Sequence, residues 1–194
     1  MGKLYCLMGK SGSGKDSAFK EIIKTARITP VVTYTTRPIR HGEETGRDYF
    51  FITADMLEAF EKSGKVIEVR NYNTVYGLWS YATVDDGNID FAMGDYILIT
   101  TLEAYYKISR YFGGDNVKPI YIEVEDGLRL ERAIKRERAQ PVPGYAEICR
   151  RFLADSEDFN SEKLALAGVE KCYSNISLFD CVDEIMKNEG LKKA

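Results

Sequence analysis

Short apolar runs alternate with amphipathic segments along the chain, which predicts strands that are each followed by a helix. The first run, Lys3–Met8, is apolar and bounded by glycines, as is typical of a buried strand. A glycine-rich loop follows, and residues 16–26 then fit an amphipathic helix. The apolar side chains on its predicted inner face are Ala18, Phe19, Ile22, Ile23 and Ala26.

The same rhythm returns in the second half of the chain. Strands are predicted at 95–101, 117–124 and 169–175, and helices at 102–112, 126–140, 145–159 and 178–187. The helix that begins at residue 126 breaks at the PVPG segment, 141–144. Strand–helix alternation at both ends of the chain predicts an α/β fold, with a parallel sheet and helices on both faces.

Shorter, mixed elements occupy the middle of the chain. They are strands at 31–36 and 48–53, a helix from 54 with Thr53 as N-cap and Gly64 as its stop, and a hairpin over 66–77 that turns near Asn73. We expect one domain over 1–194, with a core of 1–33 and 95–194 and a small α+β subdomain inserted at 34–94. Ligands of such sheets bind at the carboxyl edge, beside which this insertion lies.

Composition narrows the function classes. The chain has 194 residues and a formal net charge of −3, which argues against nucleic-acid binding. No apolar stretch is long enough to span a membrane, and the N-terminal apolar run is too short for a signal peptide. The four cysteines show no metal-ligand spacing and are expected to be reduced thiols of a cytoplasmic protein.

Residues 9–17 read GKSGSGKDS and nearly match the phosphate-binding loop G-x-x-x-x-G-K-[ST]. Glycines let successive N–H groups turn inward, and Lys15 would reach the β- and γ-phosphates of ATP. The predicted ATP-binding residues of this loop are Gly9, Ser11, Gly12, Ser13, Gly14, Lys15, Asp16 and Ser17.

Asp16 stands where the pattern has a hydroxyl. Since a carboxylate beside a triphosphate is repulsive without a cation, Asp16 and Ser17 are predicted to ligate Mg²⁺; a first-turn acid that favours the helix dipole is the alternative.

The segments TTRPIRHGEETGRDYFF (35–51) and IEVRNYNTVYG (67–77), together with an arginine-rich segment near the PVPG break, extend the pattern. With the phosphate loop, they resemble the guanylate kinase family over nearly the whole chain. The resemblance implies a Mg²⁺- and ATP-dependent kinase of GMP and dGMP. It also implies small-molecule substrates and a monomer or homodimer.

Carried over by position, the resemblance implies the acceptor-site residues. Arg37 and Arg40 would grip the GMP phosphate, and Tyr49 and Tyr76 would donate hydroxyls to it. Glu68 would accept from guanine N1 and N2. Thr33 and Glu43 complete the substrate-binding set. Independently, paired guanidinium forks suit a phosphate, and a carboxylate that accepts two N–H bonds separates guanine from adenine.

A helical lid at about 136–150 is implied in the same way. The lid arginines that would approach the transferring phosphoryl group are Arg132, Arg136 and Arg151, with Arg138 and Arg150 as near substitutes. Together with Lys15 and Arg37, Arg132, Arg136 and Arg151 make up the predicted catalytic set. Asn175 lies near the position that contacts adenine in the family.

The chain departs from the family at several positions. Ile99 and Thr101 stand where the family has two aspartates, and Leu78 replaces a small hydroxyl residue that touches guanine. We expect these losses to relax base discrimination. The loop with Asp16 also resembles ribose 1,5-bisphosphate phosphokinase, so a sugar bisphosphate is the alternative acceptor. A non-catalytic interaction module of the guanylate kinase type is the alternative from a different class.

Overall fold

The computed structural model describes residues 1–40, 42–74, 77–141 and 143–194. Their strands are β1 (Leu4–Gly9), β2 (Ile28–Pro30), β3 (Tyr34–Thr35), β4 (Phe50–Phe51), β5 (Val66–Thr74), β6 (Gly77–Val84), β7 (Asp95–Ile99), β8 (Val117–Glu123) and β9 (Cys172–Ser174). Their helices are α1 (Lys15–Thr25), α2 (Ala54–Lys62), α3 (Leu102–Phe112), α4 (Asp126–Arg138), α5 (Tyr145–Asp158), α6 (Ser161–Leu166) and α7 (Leu178–Asn188). Within these ranges, no helix has both the length and the apolar character to cross a membrane.

Five strands form a parallel sheet in the order β2-β7-β1-β8-β9. The central strand, β1, is buried at all six positions, because successive side chains point to opposite faces that are both covered. Tyr5 and Leu7 pack with residues of α1 and α7, whereas Cys6 and Met8 pack with residues of α3. The predicted α/β fold, with helices on both faces of a parallel sheet, is therefore confirmed.

A second, mixed sheet has the order β4-β3-β6-β5. One of its faces is apolar and packs on α2 through Tyr34, Leu57, Ala82 and Val84. The α2 helix begins as predicted, with the Thr53 hydroxyl accepting the Met56 N–H at 3.2 Å. Since side chains alternate along a strand, the other face of β5 and β6 is free to carry polar groups.

Several local predictions differ from the structure. In the 31–36 segment only Tyr34–Thr35 is a strand, and the sequence reading missed β2 and α6. The hairpin does not turn near Asn73, because β5 continues to Thr74, which pairs with Gly77. Asn73 suggested a turn, but it lies within β5 and pairs with Leu78 of β6.

Candidate active site

The glycine-rich segment between β1 and α1 depends on its glycines for both conformation and space. Gly12 and Gly14 have φ angles of 83° and 82°, in the left-handed region that side chains rarely adopt. A Cβ on Gly12 would lie 2.4 Å from the Arg129 carbonyl oxygen, and one on Gly14 would lie 2.4 Å from the Asn175 amide nitrogen. Gly14 is also the N-cap of α1, so the positive end of that helix opens at the loop.

Asn175 and Arg132 support the phosphate loop from the side of β9. The Asn175 amide nitrogen donates to the Ser13 carbonyl at 2.8 Å, and Arg132 donates to the Asn175 carbonyl at 3.0 Å. Asn175 is only 4% exposed, so its side chain is committed to the loop backbone. Its predicted contact with ATP remains a prediction, as does the predicted catalytic role of Arg132.

The first turn of α1 carries Lys15, Asp16 and Ser17, and the last two are exposed. Asp16 and Ser17 offer a carboxylate and a hydroxyl oxygen, a donor set that suits Mg²⁺ held jointly with phosphates and water. In the part of the chain that the structure describes, no cluster of three or more His, Cys, Asp or Glu side chains could hold a metal. A metal at Asp16 would therefore take its remaining ligands from the nucleotide and from water, as Mg²⁺ commonly does.

The predicted acceptor residues Arg37 and Glu43 form a bidentate ion pair. The Arg37 side chain is 3% exposed, and its terminal nitrogens lie 2.6 and 2.8 Å from the two Glu43 oxygens. Glu43 also accepts the Arg40 backbone N–H at 2.8 Å. The Arg37 Nε donates to the Tyr81 hydroxyl at 3.2 Å, and its guanidinium carbon lies 5.1 Å from the centre of the Tyr49 ring. Glu43 thus orients the Arg37 guanidinium and fixes the Arg40 backbone.

The Arg37–Glu43 pair makes part of the stability dependent on pH. The hydrogen bonds from Arg37 lower the pKa of Glu43 from 4.5 to about 2. Since the pKa is depressed in the folded state, this stabilisation is complete above about pH 4.5 and is lost as the pH falls towards 2. Allowing for solvent screening, we expect Glu43→Gln to cost about 1–2 kcal/mol at neutral pH and little in strong acid. Urea unfolding of both proteins across this range checks it; a difference that does not shrink on acidification would contradict it.

Glu68, the predicted base-reading carboxylate, lies on the polar face of the second sheet. Its side chain is 0% exposed. The Thr83 hydroxyl donates to one of its oxygens at 2.7 Å, and Arg70 donates to both oxygens at 3.0 and 3.2 Å. Glu68 pairs with Thr83 across the strands, and Arg70 pairs with Tyr81. This carboxylate is therefore engaged by its own chain.

Tyr49 lies beside Arg37 and Tyr81, with its ring centre 5.7 Å from that of Tyr81. Burial raises the pKa of Tyr49; the neighbouring Tyr81 and Asp16 raise it further, whereas Arg37 and Arg70 lower it. Thr33 is half-buried, and its carbonyl accepts the Phe50 N–H at 2.9 Å. Tyr76 lies outside the described residues.

Two of the three predicted lid arginines line one cavity with the phosphate loop. The cavity has a volume of about 170 Å³, and its walls include Ser11, Arg136 and Arg151. Arg151 also donates to Glu147 at 2.7 Å, and Arg150 donates to the same carboxylate at 2.7 and 2.8 Å. The break in the helix thus brings arginines of both α4 and α5 beside the loop.

Arg129, which sequence reasoning missed, is a buried link between the loop and α5. It is 1% exposed, lies 2.6 Å from Asp126 and 3.6 Å from Asp155, and stacks 3.9 Å from the centre of the Phe152 ring. Asp155 in turn accepts the Ser11 N–H at 2.7 Å. The spacing of Asp126 and Arg129, three residues apart on a predicted helix, could have indicated their ion pair. Nothing in the sequence pattern indicated that Asp155 is the second partner of Arg129.

Known proteins resemble this chain in sequence and in fold. The sequence model of the guanylate kinase family matches residues 1–86. The guanylate kinase of Thermotoga maritima is 27% identical over 201 residues, covering 100% of this chain and 82% of the relative. That of Geobacter metallireducens is 30% identical over 175 residues, covering 87% of this chain and 74% of the relative. The chain belongs to the guanylate kinase family.

A solved guanylate kinase supports the fold of this family member. The enzyme from Anaplasma phagocytophilum superposes with a TM-score of 0.63 at 19% identity, covering 96% of this chain and 84% of that one.

Within the guanylate kinase fold, sequence reasoning also missed Arg70, Thr83 and Tyr81 beside the predicted acceptor residues. Arg70 lies two positions after Glu68, so the strand period alone places both on one face.

Proposed function

We propose that this chain transfers the γ-phosphoryl group of ATP to GMP and dGMP, giving ADP and the corresponding diphosphate. The observation that carries the proposal is the presence in one chain of two sets of groups that suit phosphate. One is the glycine loop that ends at Gly14, the N-cap of α1, with Lys15 as the first helical residue. The other is Arg37, whose guanidinium is oriented by Glu43. Membership of the guanylate kinase family supports the same reaction.

The residues divide the work of phosphoryl transfer between positioning and charge neutralisation. Lys15 and the loop N–H groups bind the donor phosphates at the positive end of α1. Arg37 and Arg40 hold the acceptor phosphate in line with the donor. Arg136 and Arg151 approach the transferring group, once Arg151 is released from Glu147. A Mg²⁺ ion held by Asp16 and Ser17 would supply neutralising charge between the donor phosphates and the Asp16 carboxylate.

A sugar bisphosphate is the second candidate acceptor, and one observation favours it. Glu68 has a partner in Arg70, so its burial does not require a bound base. The loop with Asp16 also resembles that of ribose 1,5-bisphosphate phosphokinase, which favours the same candidate. The second candidate uses the same donor site and the same Arg37, and differs only in what fills the space beside Glu68.

An ADP-release assay over a panel of acceptors decides between the two candidates. The panel is GMP, dGMP, IMP, AMP, UMP, CMP and ribose 1,5-bisphosphate, each with ATP and Mg²⁺ and each repeated with excess EDTA. We expect GMP and dGMP to stimulate ADP release and EDTA to stop it. Release with the sugar bisphosphate but not with GMP would overturn the first candidate. Release that survives EDTA would contradict the metal role of Asp16 and Ser17.

A further inference from the structure

The base-reading position of the acceptor site is already occupied by a side chain of the same protein. Arg70 presents Nε and Nη2 to the two oxygens of Glu68 at 3.0 and 3.2 Å, while Thr83 donates to one of them at 2.7 Å. The Arg70 side chain is 14% exposed and that of Glu68 is 0% exposed. A carboxylate accepts about four hydrogen bonds, so little capacity is left for a ligand.

The chemistry of this pair matches the chemistry of guanine recognition. Guanine offers N1–H and N2–H side by side on an N–C–N edge. The guanidinium of Arg70 offers two N–H groups on the same kind of edge, and it makes the bidentate contact that guanine would make. Guanine and Arg70 therefore cannot both bind Glu68 bidentately.

We propose that Arg70 determines acceptor specificity by occupying Glu68 in place of a guanine base. The inference rests on the proposed phosphoryl transfer and concerns the base subsite of that same site. Guanine must displace Arg70 to be read, so the protein accepts nucleoside monophosphates with little preference among bases. Arg70 is a competitor for Glu68 and does not touch the transferred group.

The other predicted base-reading positions do not restore discrimination. Leu78 has an apolar side chain that is 59% exposed. The Thr101 hydroxyl accepts the Ala104 N–H at 3.3 Å and caps α3. Ile99 has no polar side-chain atom. The choice between guanine and other bases thus depends on Glu68, and access to Glu68 depends on Arg70.

The test compares GMP with AMP in the full-length protein and in Arg70→Met, a substitution of similar length without donors. Both kcat/KM and the dissociation constant without ATP are measured. We expect the wild-type preference for GMP over AMP to be less than about tenfold, and Arg70→Met to raise it by about tenfold or more. Arg110→Met, which removes an exposed arginine from α3, should leave the preference unchanged. No gain in folded Arg70→Met would overturn the proposal.

Glu68→Gln provides a second measurement that does not depend on the stability of Arg70→Met. With Arg70 in place, Glu68→Gln should change the GMP preference by less than about threefold, whereas in the Arg70→Met background it should abolish the gain. If Glu68→Gln alone lowered the preference for GMP over AMP by about tenfold or more, Glu68 would be reading guanine despite Arg70, and the proposal would be overturned.

The two readouts separate this inference from the proposed function. If the wild type shows no GMP-stimulated turnover, the proposed function fails, and the dissociation constants still decide on Arg70. A gain in GMP affinity in Arg70→Met then supports the inference, and an unchanged ratio overturns it. Absence of nucleotide binding by either protein overturns both.

Discussion

Lys15→Met is expected to lower kcat/KM for GMP phosphorylation by about 10³-fold or more, with little change in the free energy of unfolding. Lys15 is the first residue of α1 and follows the left-handed Gly14, so its backbone lies at the end of the glycine loop. Under the proposed mechanism, the substitution removes a cation that neutralises charge on the donor side of the transferring phosphoryl group. Steady-state kinetics with ATP and GMP, together with urea unfolding, measure both effects.

Lys20→Met is the matched control for Lys15. It removes the same charge from an exposed position of the same helix. We expect it to keep nearly all activity, since Lys20 lies outside the glycine loop and its exposed charge is surrounded by solvent. Equal activity of Lys15→Met and the wild type would contradict the catalytic role of Lys15, whereas absence of activity in all three proteins would favour the non-catalytic interaction module.

Gly12→Ala is expected to destabilise the protein by about 3 kcal/mol or more and to weaken ATP binding. Its Cβ would lie 2.4 Å from the Arg129 carbonyl oxygen, and its φ of 83° is strained for any side chain. Relief cannot come from a rotamer change, because the obstructing atom belongs to the backbone of α4. Arg129 is itself held by Asp126 and Asp155, so a shift of α4 would disturb the loop further. Urea unfolding and ATP titration measure the two losses.

Gly87→Ala separates conformational strain from collision. Gly87 has a φ of 81°, but nothing lies within 4 Å of the position that its Cβ would take. We expect this variant to lose only about 1–2 kcal/mol, the cost of the left-handed conformation. If Gly12→Ala lost no more than Gly87→Ala, the close approach of α4 to the loop would be wrong.

The sequence predicted best those features whose signals are local. β1 is apolar at every position because both of its faces are covered, and the Thr53 cap of α2 follows from a hydroxyl placed before a helical pattern. The phosphate loop was readable because glycines and Lys15 occur at a fixed spacing after a strand. Each of these depends on neighbours within a few residues.

The features that the sequence did not reveal depend on long-range pairing. The hairpin prediction ended β5 too early, and an error in strand position changes which cross-strand neighbours meet. The register that joins Glu68 to Thr83 and Arg70 to Tyr81 therefore could not be read. Arg129 is buried by a contact with α5, which lies beyond the PVPG break. A charged residue in a predicted helix is expected to be exposed to solvent, and only the position of the neighbouring helix shows that it is buried.

The position of β1 at the centre of the parallel sheet has a consequence for the order of folding during translation. β1 pairs with β7 and β8, which join Leu4 to Tyr96 and to Val117, and the loop that follows it is held by Asn175. The GKSGSGKDS motif is synthesised before the strands and the asparagine that support it. Contacts between such distant residues slow folding, because closing a long loop costs chain entropy before the contacts can stabilise the structure. The nascent chain thus carries the complete motif before the contacts that hold its loop in place can form.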